Sequence, residues 1–157
     1  MIDPVVRRAE PGDASALRDL EQVARAAVAE TRGGSRWLDL HAEIGDGWDD
    51  VITRRTVFVA AIPGGPDPDA HQVAVGYLVA DLVNDPMAVA RIDQVFVSAD
   101  ARELGFGDEL VAAATAWGRD AGAELLEAET LPGDRNLKNL YERAGVTARL
   151  ITVSKRL

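Results

Sequence analysis

Residues 95–121 constrain the fold more than any other stretch of this chain. Val95-Phe96-Val97 is an apolar strand end, Ser98-Ala99-Asp100 turns the chain, and Arg102-Glu103-Leu104-Gly105-Phe106-Gly107 spaces two glycines ahead of a long amphipathic segment. That segment, residues 108–121, places Leu110, Ala114, Trp117 and Ala121 on one helical face, with Gly122 as its stop. A helix N-terminus carries unpaired N–H groups and a partial positive charge, so the junction is a natural anion site. Glycine at 105 and 107 removes side chains where a phosphate would approach the backbone. Arg102 adds a cation suited to bidentate contact.

The flanking sequence supplies the partners such a unit needs. Val5-Val6-Arg7-Arg8 reads as a first strand, and Asp13 as the N-cap of a helix carrying Leu17, Leu20, Ala24, Ala27 and Val28. Residues 36–55 hold Trp37, Leu40, Ile44, Trp48, Val51 and Ile52 at helical spacing, but Gly45 and Gly47 predict one broken helix or two short ones. Residues 57–62 and 73–81 read as strands joined by a loop over 63–69, and residues 88–97 as the next strand. A strand at 125–129, a helix at 135–143 capped by Asp134, and a final strand at 147–153 complete the order βααβββαβαβ. The class is α/β (α+β).

At 157 residues, 47% apolar and 27% charged, the chain has the profile of one folded domain over residues 1–157. No apolar run reaches the roughly 18 residues of a membrane span. The start lacks the basic-then-apolar pattern of a signal peptide. The absence of cysteine excludes disulfides, thiolate metal sites and a cysteine nucleophile; no metal site is expected, and a cytoplasmic location fits. The balance of 26 acidic against 17 basic residues, a formal charge of -9, argues against nucleic acid as a partner. Such a field would draw a cationic substrate, although solubility alone accounts for the same charge.

Three features together resemble one family. The element order, the Arg102-Glu103-Leu104-Gly105-Phe106-Gly107 loop between strand and helix, and Leu140-Tyr141-Glu142-Arg143-Ala144-Gly145 downstream are similar to the GNAT superfamily of acetyl-CoA-dependent N-acyltransferases. A dinucleotide fold would carry its glycine loop on the first strand, and here the loop comes late. The resemblance implies the GNAT fold, a central mixed, mostly antiparallel sheet of six to seven strands flanked by about four helices. It implies acetyl-CoA as cofactor. The backbone of Val95, Phe96 and Val97 would hold the pantetheine arm, and Arg102, Glu103, Leu104, Gly105, Phe106, Gly107 and Asp108 the pyrophosphate. Asp134 stands where the family has an asparagine, with Asn136 displaced by two, and both are assigned to the cofactor side.

By the same resemblance, an amine attacks the thioester carbonyl directly and a backbone N–H near Val97 stabilises the oxyanion. Tyr141 serves the leaving thiolate, and Asp93 is the general base, with Glu43, His41 and His71 as weaker candidates. Residues 31–48 and 63–72 form the acceptor side. There Trp37, His41 and Trp48 either line a pocket or, for the tryptophans, pack the helices onto the sheet. Glu103, Asp108 and Glu109 would repel a pyrophosphate if turned inward and are expected to face solvent. The implied activity is acetyl transfer to a primary amine of a small molecule or peptide. The alternative is a catalytically inactive CoA-binding sensor or partner module. Neither nucleic acid nor a membrane is an expected partner, while residues 150–153 could pair with a second copy, as a homodimer, from a sheet edge.

Overall fold

The computed structural model describes residues 5–67 and 71–157. In chain order it contains β1 (Val5–Arg8), α1 (Ala14–Ala29), α2 (Gly34–Leu40), α3 (Trp48–Arg54), β2 (Thr56–Pro63), β3 (Gln72–Asn84), β4 (Ala88–Val97), α4 (Phe106–Asp120), β5 (Leu125–Ala128) and α5 (Arg135–Arg143). The strands form one sheet in sequential order, antiparallel except for the β4–β5 pair. A parallel pair needs a crossover long enough to return the chain to the same end, and α4 supplies it. The mixed, mostly antiparallel sheet is therefore present, with five strands among the described residues instead of six to seven. Among the described residues no helix is long and apolar enough to cross a membrane.

Two local expectations are corrected. Residues 147–157 carry no regular structure, so the final strand does not form within the chain. A strand exists only when a neighbour takes up its backbone groups, and β-favouring composition cannot supply that neighbour. Asp13 does not cap α1: its carboxylate accepts from Arg7 Nη1 and Nη2 at 2.7 and 2.9 Å and from the Glu10 N–H at 2.8 Å. The Arg7 hydrogen bonds hold the Asp13 carboxyl below its ordinary range, against an opposing effect of burial. The region after α1, by contrast, meets its expectation of two short helices, α2 and α3, separated by a 3₁₀ turn at Gly45–Gly47. The loop after β2 leads to Pro68 and Asp69, which lie outside the described residues.

The strand alternation divides the core into two layers. Phe58, Ala60 and Leu78 face α4 and α5, packing with Leu110, Val111, Ala114, Leu140 and Tyr141. Val57, Val59, Ala61, Tyr77 and Val79 face α1 and α3, packing with Leu17 and Trp48. In β4 the register passes from Gln94 opposite Val79 to Ile92 opposite Ala80, leaving Asp93 without a partner across the ladder. This bulge resets the alternation. Ile92, Val95 and Val97 all reach the α4 layer, while Phe96 reaches the α1 layer.

Candidate active site

The β4–β5 pairing runs only from Val89 opposite Leu125 to Ile92 opposite Ala128. There β5 ends, and β4 continues to Val97 with β3 as its sole neighbour among the described residues. The splay begins at the bulge. It exposes one edge of the strand that leads into the glycine loop, and such an edge can pair with an extended, amide-bearing ligand. Val95 and Val97 pack there in the same apolar cluster as Ala128 and Tyr141.

A 3₁₀ turn at Ala99–Ala101 carries the chain from β4 toward α4. Gly105 precedes the helix at φ 87, a left-handed conformation that a side chain would strain, and a Cβ there would meet nothing. No side chain caps α4, so its first N–H groups remain available to an anion. Glu103, Asp108 and Glu109 are exposed, and Asp108 accepts from Arg143 Nε and Nη2 at 3.1 and 3.2 Å. Arg102 is exposed and folds its Nε back to the Val97 carbonyl at 3.2 Å, leaving its Nη groups unused by that bond. Leu104 is exposed and Phe106 buried. Gly107 lies inside the first turn of α4, where a Cβ would stand 3.2 Å from Leu140 Cδ2. This close contact with the Leu140 side chain of α5 is a feature that spacing alone did not reveal.

Tyr141 projects from α5 and is 5% exposed. Burial pushes its phenol well above the ordinary value and the nearby Asp134 charge adds to this, so the hydroxyl stays protonated. The Tyr141 hydroxyl has no hydrogen-bond partner among the described residues, yet no fully buried polar side-chain atom is left unpaired. The ring is therefore buried while the hydroxyl reaches accessible surface. Asp134 caps α5, accepting from the Leu137 N–H at 2.9 Å, and Asn136 is exposed in the first turn.

A cleft of about 100 Å³ is lined by His41, Arg91, Ile92, Asp93 and Glu129. Asp93 is not a free carboxylate. Its Oδ2 accepts from Arg55 Nη2 at 3.0 Å, and Arg55 also donates from Nε to Asp81 at 2.8 Å. The hydrogen bond to Asp81, and after it the one to Asp93, raise the Arg55 guanidinium above its ordinary value against the cost of burial. Arg91, the partner spacing suggests for Asp93, instead faces Glu127 at 3.6 Å. His41 Nδ1 lies 2.8 Å from the Trp37 carbonyl. A carbonyl can only accept, so Nδ1 carries the proton and Nε2 of the neutral ring is the acceptor. The Trp37 and His41 rings stack with centroids 4.1 Å apart and planes 9° from parallel.

Trp48 takes the second of the two roles open to it and packs in the core, although it also lines a separate hollow beside α1 and lies outside the cleft. It is 1% exposed, meets Tyr77 edge-on at 5.3 Å, and donates from Nε1 to Glu21 at 2.9 Å. Glu43 and His71 are exposed and do not line the cleft. A larger open hollow of about 360 Å³, lined by Arg18, Asp46 and Asp49 among others, shares none of the cleft residues. Reading the sequence missed Glu129, Arg55 and Asp81, whose proximity to Asp93 arises from strand register. It also missed Glu21, for which a signal existed: a carboxylate four residues after Leu17 on the apolar face of α1.

The model of the acetyltransferase (GNAT) family matches residues 21–146. The aminoglycoside N-acetyltransferase AAC(6')-Iy, solved with CoA, superposes with a TM-score of 0.69 at 20% identity, covering 100% of this chain and 97% of its own. The BH1408 protein from Bacillus halodurans gives a TM-score of 0.77 at 18% identity, with 98% and 99% covered. The ribosomal-protein-alanine N-acetyltransferase from Brucella melitensis biovar Abortus 2308 gives 0.64 at 15% identity, with both chains covered at 100%. At these identities the likeness is one of fold. No curated protein matches the chain. GNAT acetyltransferases use acetyl-CoA. The family match takes in the splayed β4 edge, the glycine loop and Tyr141, and on it the chain belongs to the GNAT family of acetyltransferases.

Proposed function

We propose that this chain is an N-acetyltransferase that carries an acetyl group from acetyl-CoA to a primary amine of a small molecule or peptide. The observation that carries the reading is the end of the β4–β5 pairing at Ile92, ahead of the glycine loop and the uncapped start of α4, with Tyr141, Val95 and Val97 all in the apolar layer on the α4 side of the sheet. The residues fit the cofactor. The β4 edge at Val95, Phe96 and Val97 offers strand-like pairing to an amide-bearing arm. Gly105, Phe106, Gly107 and Asp108, at the uncapped start of α4, offer N–H donors to a diphosphate, with the Nη groups of Arg102 beside them. Bound there, acetyl-CoA supplies an activated acyl thioester.

Tyr141 holds a proton at Oη, kept there by burial, for the leaving group. His41 Nε2 takes the proton of the incoming amine, in preference to Asp93, whose Oδ2 is held by Arg55. Glu129 is the lining carboxylate that Arg55 does not hold, and it offers a partner to a cationic amine in a cleft whose wall also carries Arg91. The structural relatives include an aminoglycoside acetyltransferase crystallised with a CoA–acetylneamine conjugate and a ribosomal-protein-alanine acetyltransferase, so both acceptor classes fall within the reading.

Thiol release with a panel of amines tests it. Tyr141→Phe is expected to lower kcat by about 10-fold or more while keeping the rise in melting temperature caused by acetyl-CoA. Unchanged kcat would remove Tyr141 from the chemistry, and no thermal shift in the unaltered chain would sink the cofactor assignment. The pairing of Asp93 with Arg55 favours one other reading, a CoA-binding module without turnover. That module would show the thermal shift and no thiol release with any amine.

A further inference from the structure

Little holds α2 to the body of the molecule. Of its 7 residues only Gly34 is buried, and none belongs to either apolar layer. A helix that short has little stability of its own, since isolated helices need roughly 12–15 residues in water. Its start is seated closely: a Cβ on Gly34 would stand 1.7 Å from the Val28 carbonyl oxygen of α1. Its other end carries His41, which lines the cleft. The contacts of His41 with Trp37 are local. Nδ1 and the backbone N–H donate to the Trp37 carbonyl at 2.8 and 3.0 Å, and the two rings stack. They fix the imidazole relative to α2 but not α2 relative to the sheet.

That second task falls to one bond. Arg25 Nη1 donates to the His41 carbonyl at 2.9 Å. Among the described residues no other hydrogen bond or ion pair joins residues 34–43 to α1, α3 or the sheet. Glu21, Arg25 and Val28 follow one another at helical spacing along one face of α1. Val28 meets the start of α2, Arg25 holds its end, and Glu21 takes the N–H groups of Ile44 and Gly45 in the turn beyond. Arg25 is half-buried and forms no ion pair among the described residues, so this carbonyl has its charge-assisted donor without competition.

We propose that Arg25 is a positioning residue, whose hydrogen bond to the His41 carbonyl seats the end of α2 on α1 and thereby holds the imidazole at the cleft for the incoming amine. The inference rests on the reading of His41 as the group that takes the amine proton. A base displaced from its acceptor loses rate even when its chemistry is intact.

The test compares three single variants and one double variant with an amine that the unaltered chain acetylates. Arg25→Met removes the donor and is expected to lower kcat about 10-fold or more, while the rise in melting temperature caused by acetyl-CoA is kept. Arg25→Lys restores a cationic donor and is expected to recover part of that loss. His41→Gln is expected to lower kcat by about 10-fold or more. Arg25→Met combined with His41→Gln is expected to be no slower than His41→Gln alone, because Arg25 acts through His41. Amide exchange gives a readout that needs no acceptor: Arg25→Met is expected to speed exchange over residues 37–41 about 10-fold or more and to leave residues 17–24 of α1 unchanged. Losses that multiply in the double variant, or an Arg25→Met chain as fast as the unaltered one while His41→Gln is slow, overturn the proposal and leave the reading of His41 standing. Unchanged kcat in His41→Gln overturns that reading and the proposal with it. Exchange over residues 37–41 that Arg25→Met does not alter overturns the proposal by itself.

Discussion

Glu21 lies on the apolar face of α1 and is fully buried. Its carboxylate accepts from the Ile44 N–H at 2.7 Å, the Gly45 N–H at 3.0 Å and Trp48 Nε1 at 2.9 Å. One side chain thus ties the turn after α2 and the start of α3 to α1, and through Trp48 to the sheet. That turn follows His41 closely in the chain, so the anchor bears on the His41 side of the cleft. Glu21→Ala would leave three donors without their acceptor, each costing about 1–3 kcal/mol if it stays dry. Allowing for relaxation and water entry, the expected loss is about 3 kcal/mol, read from the midpoint of urea unfolding. A midpoint equal to that of the unaltered chain would show that these bonds carry no net stability.

At the scale of elements, the seating of α4 decides the geometry of the glycine loop. A Cβ on Gly118 would lie 2.8 Å from the Ala90 Cβ on β4, closer than two such atoms can sit. Glycine here lets the helix rest directly on the strand whose far end forms the site. In an isolated helix Gly118→Ala would gain about 1 kcal/mol from propensity. Overpacking against Ala90 costs about 1–3 kcal/mol, and neither Cβ can turn away. The expected net result is a destabilisation of about 1 kcal/mol in denaturant unfolding. A stabilised variant would mean that α4 shifts freely on the sheet, and the loop with it. Gly107 differs because its neighbour is the end of the flexible Leu140 side chain, which can yield.

For the molecule as a whole, both tyrosines report on alkaline stability. Burial pushes both phenols above their ordinary value, with the Glu21 charge adding to it for Tyr77 and that of Asp134 for Tyr141. In the unfolded chain a phenol titrates near pH 10. Above about that pH the unfolded state has released protons that the folded state keeps, so stability falls as pH rises. Tyrosinate absorbance is therefore expected to appear in one step, together with the loss of far-UV dichroism. A phenol that ionises while the dichroism persists would place that ring at the surface.

Local pattern carried much of the fold and part of the site. The strand–glycine–helix junction, the helix at 135–143 with its Asp134 cap, and the outward acids of the loop were legible because each depends on residues within a turn or two of one another. Tyr141 stands out in the sequence through its motif, but its burial in the layer on the α4 side of the sheet depends on how α5 packs. Other features depend on register between segments far apart in the chain. Arg55 reaches Asp93 across 38 residues of sequence, and Asp93 sits at a bulge that no composition announces. Trp48 could serve a pocket or a core, and the choice fell to the core because the buried carboxylate of Glu21 stands beside its indole N–H. Residues 147–153 make the division plainest. Sequence by itself determined that this segment is fit to be a strand. Whether it is one depends on a neighbour for its backbone groups, and tertiary structure leaves it without one inside its own chain.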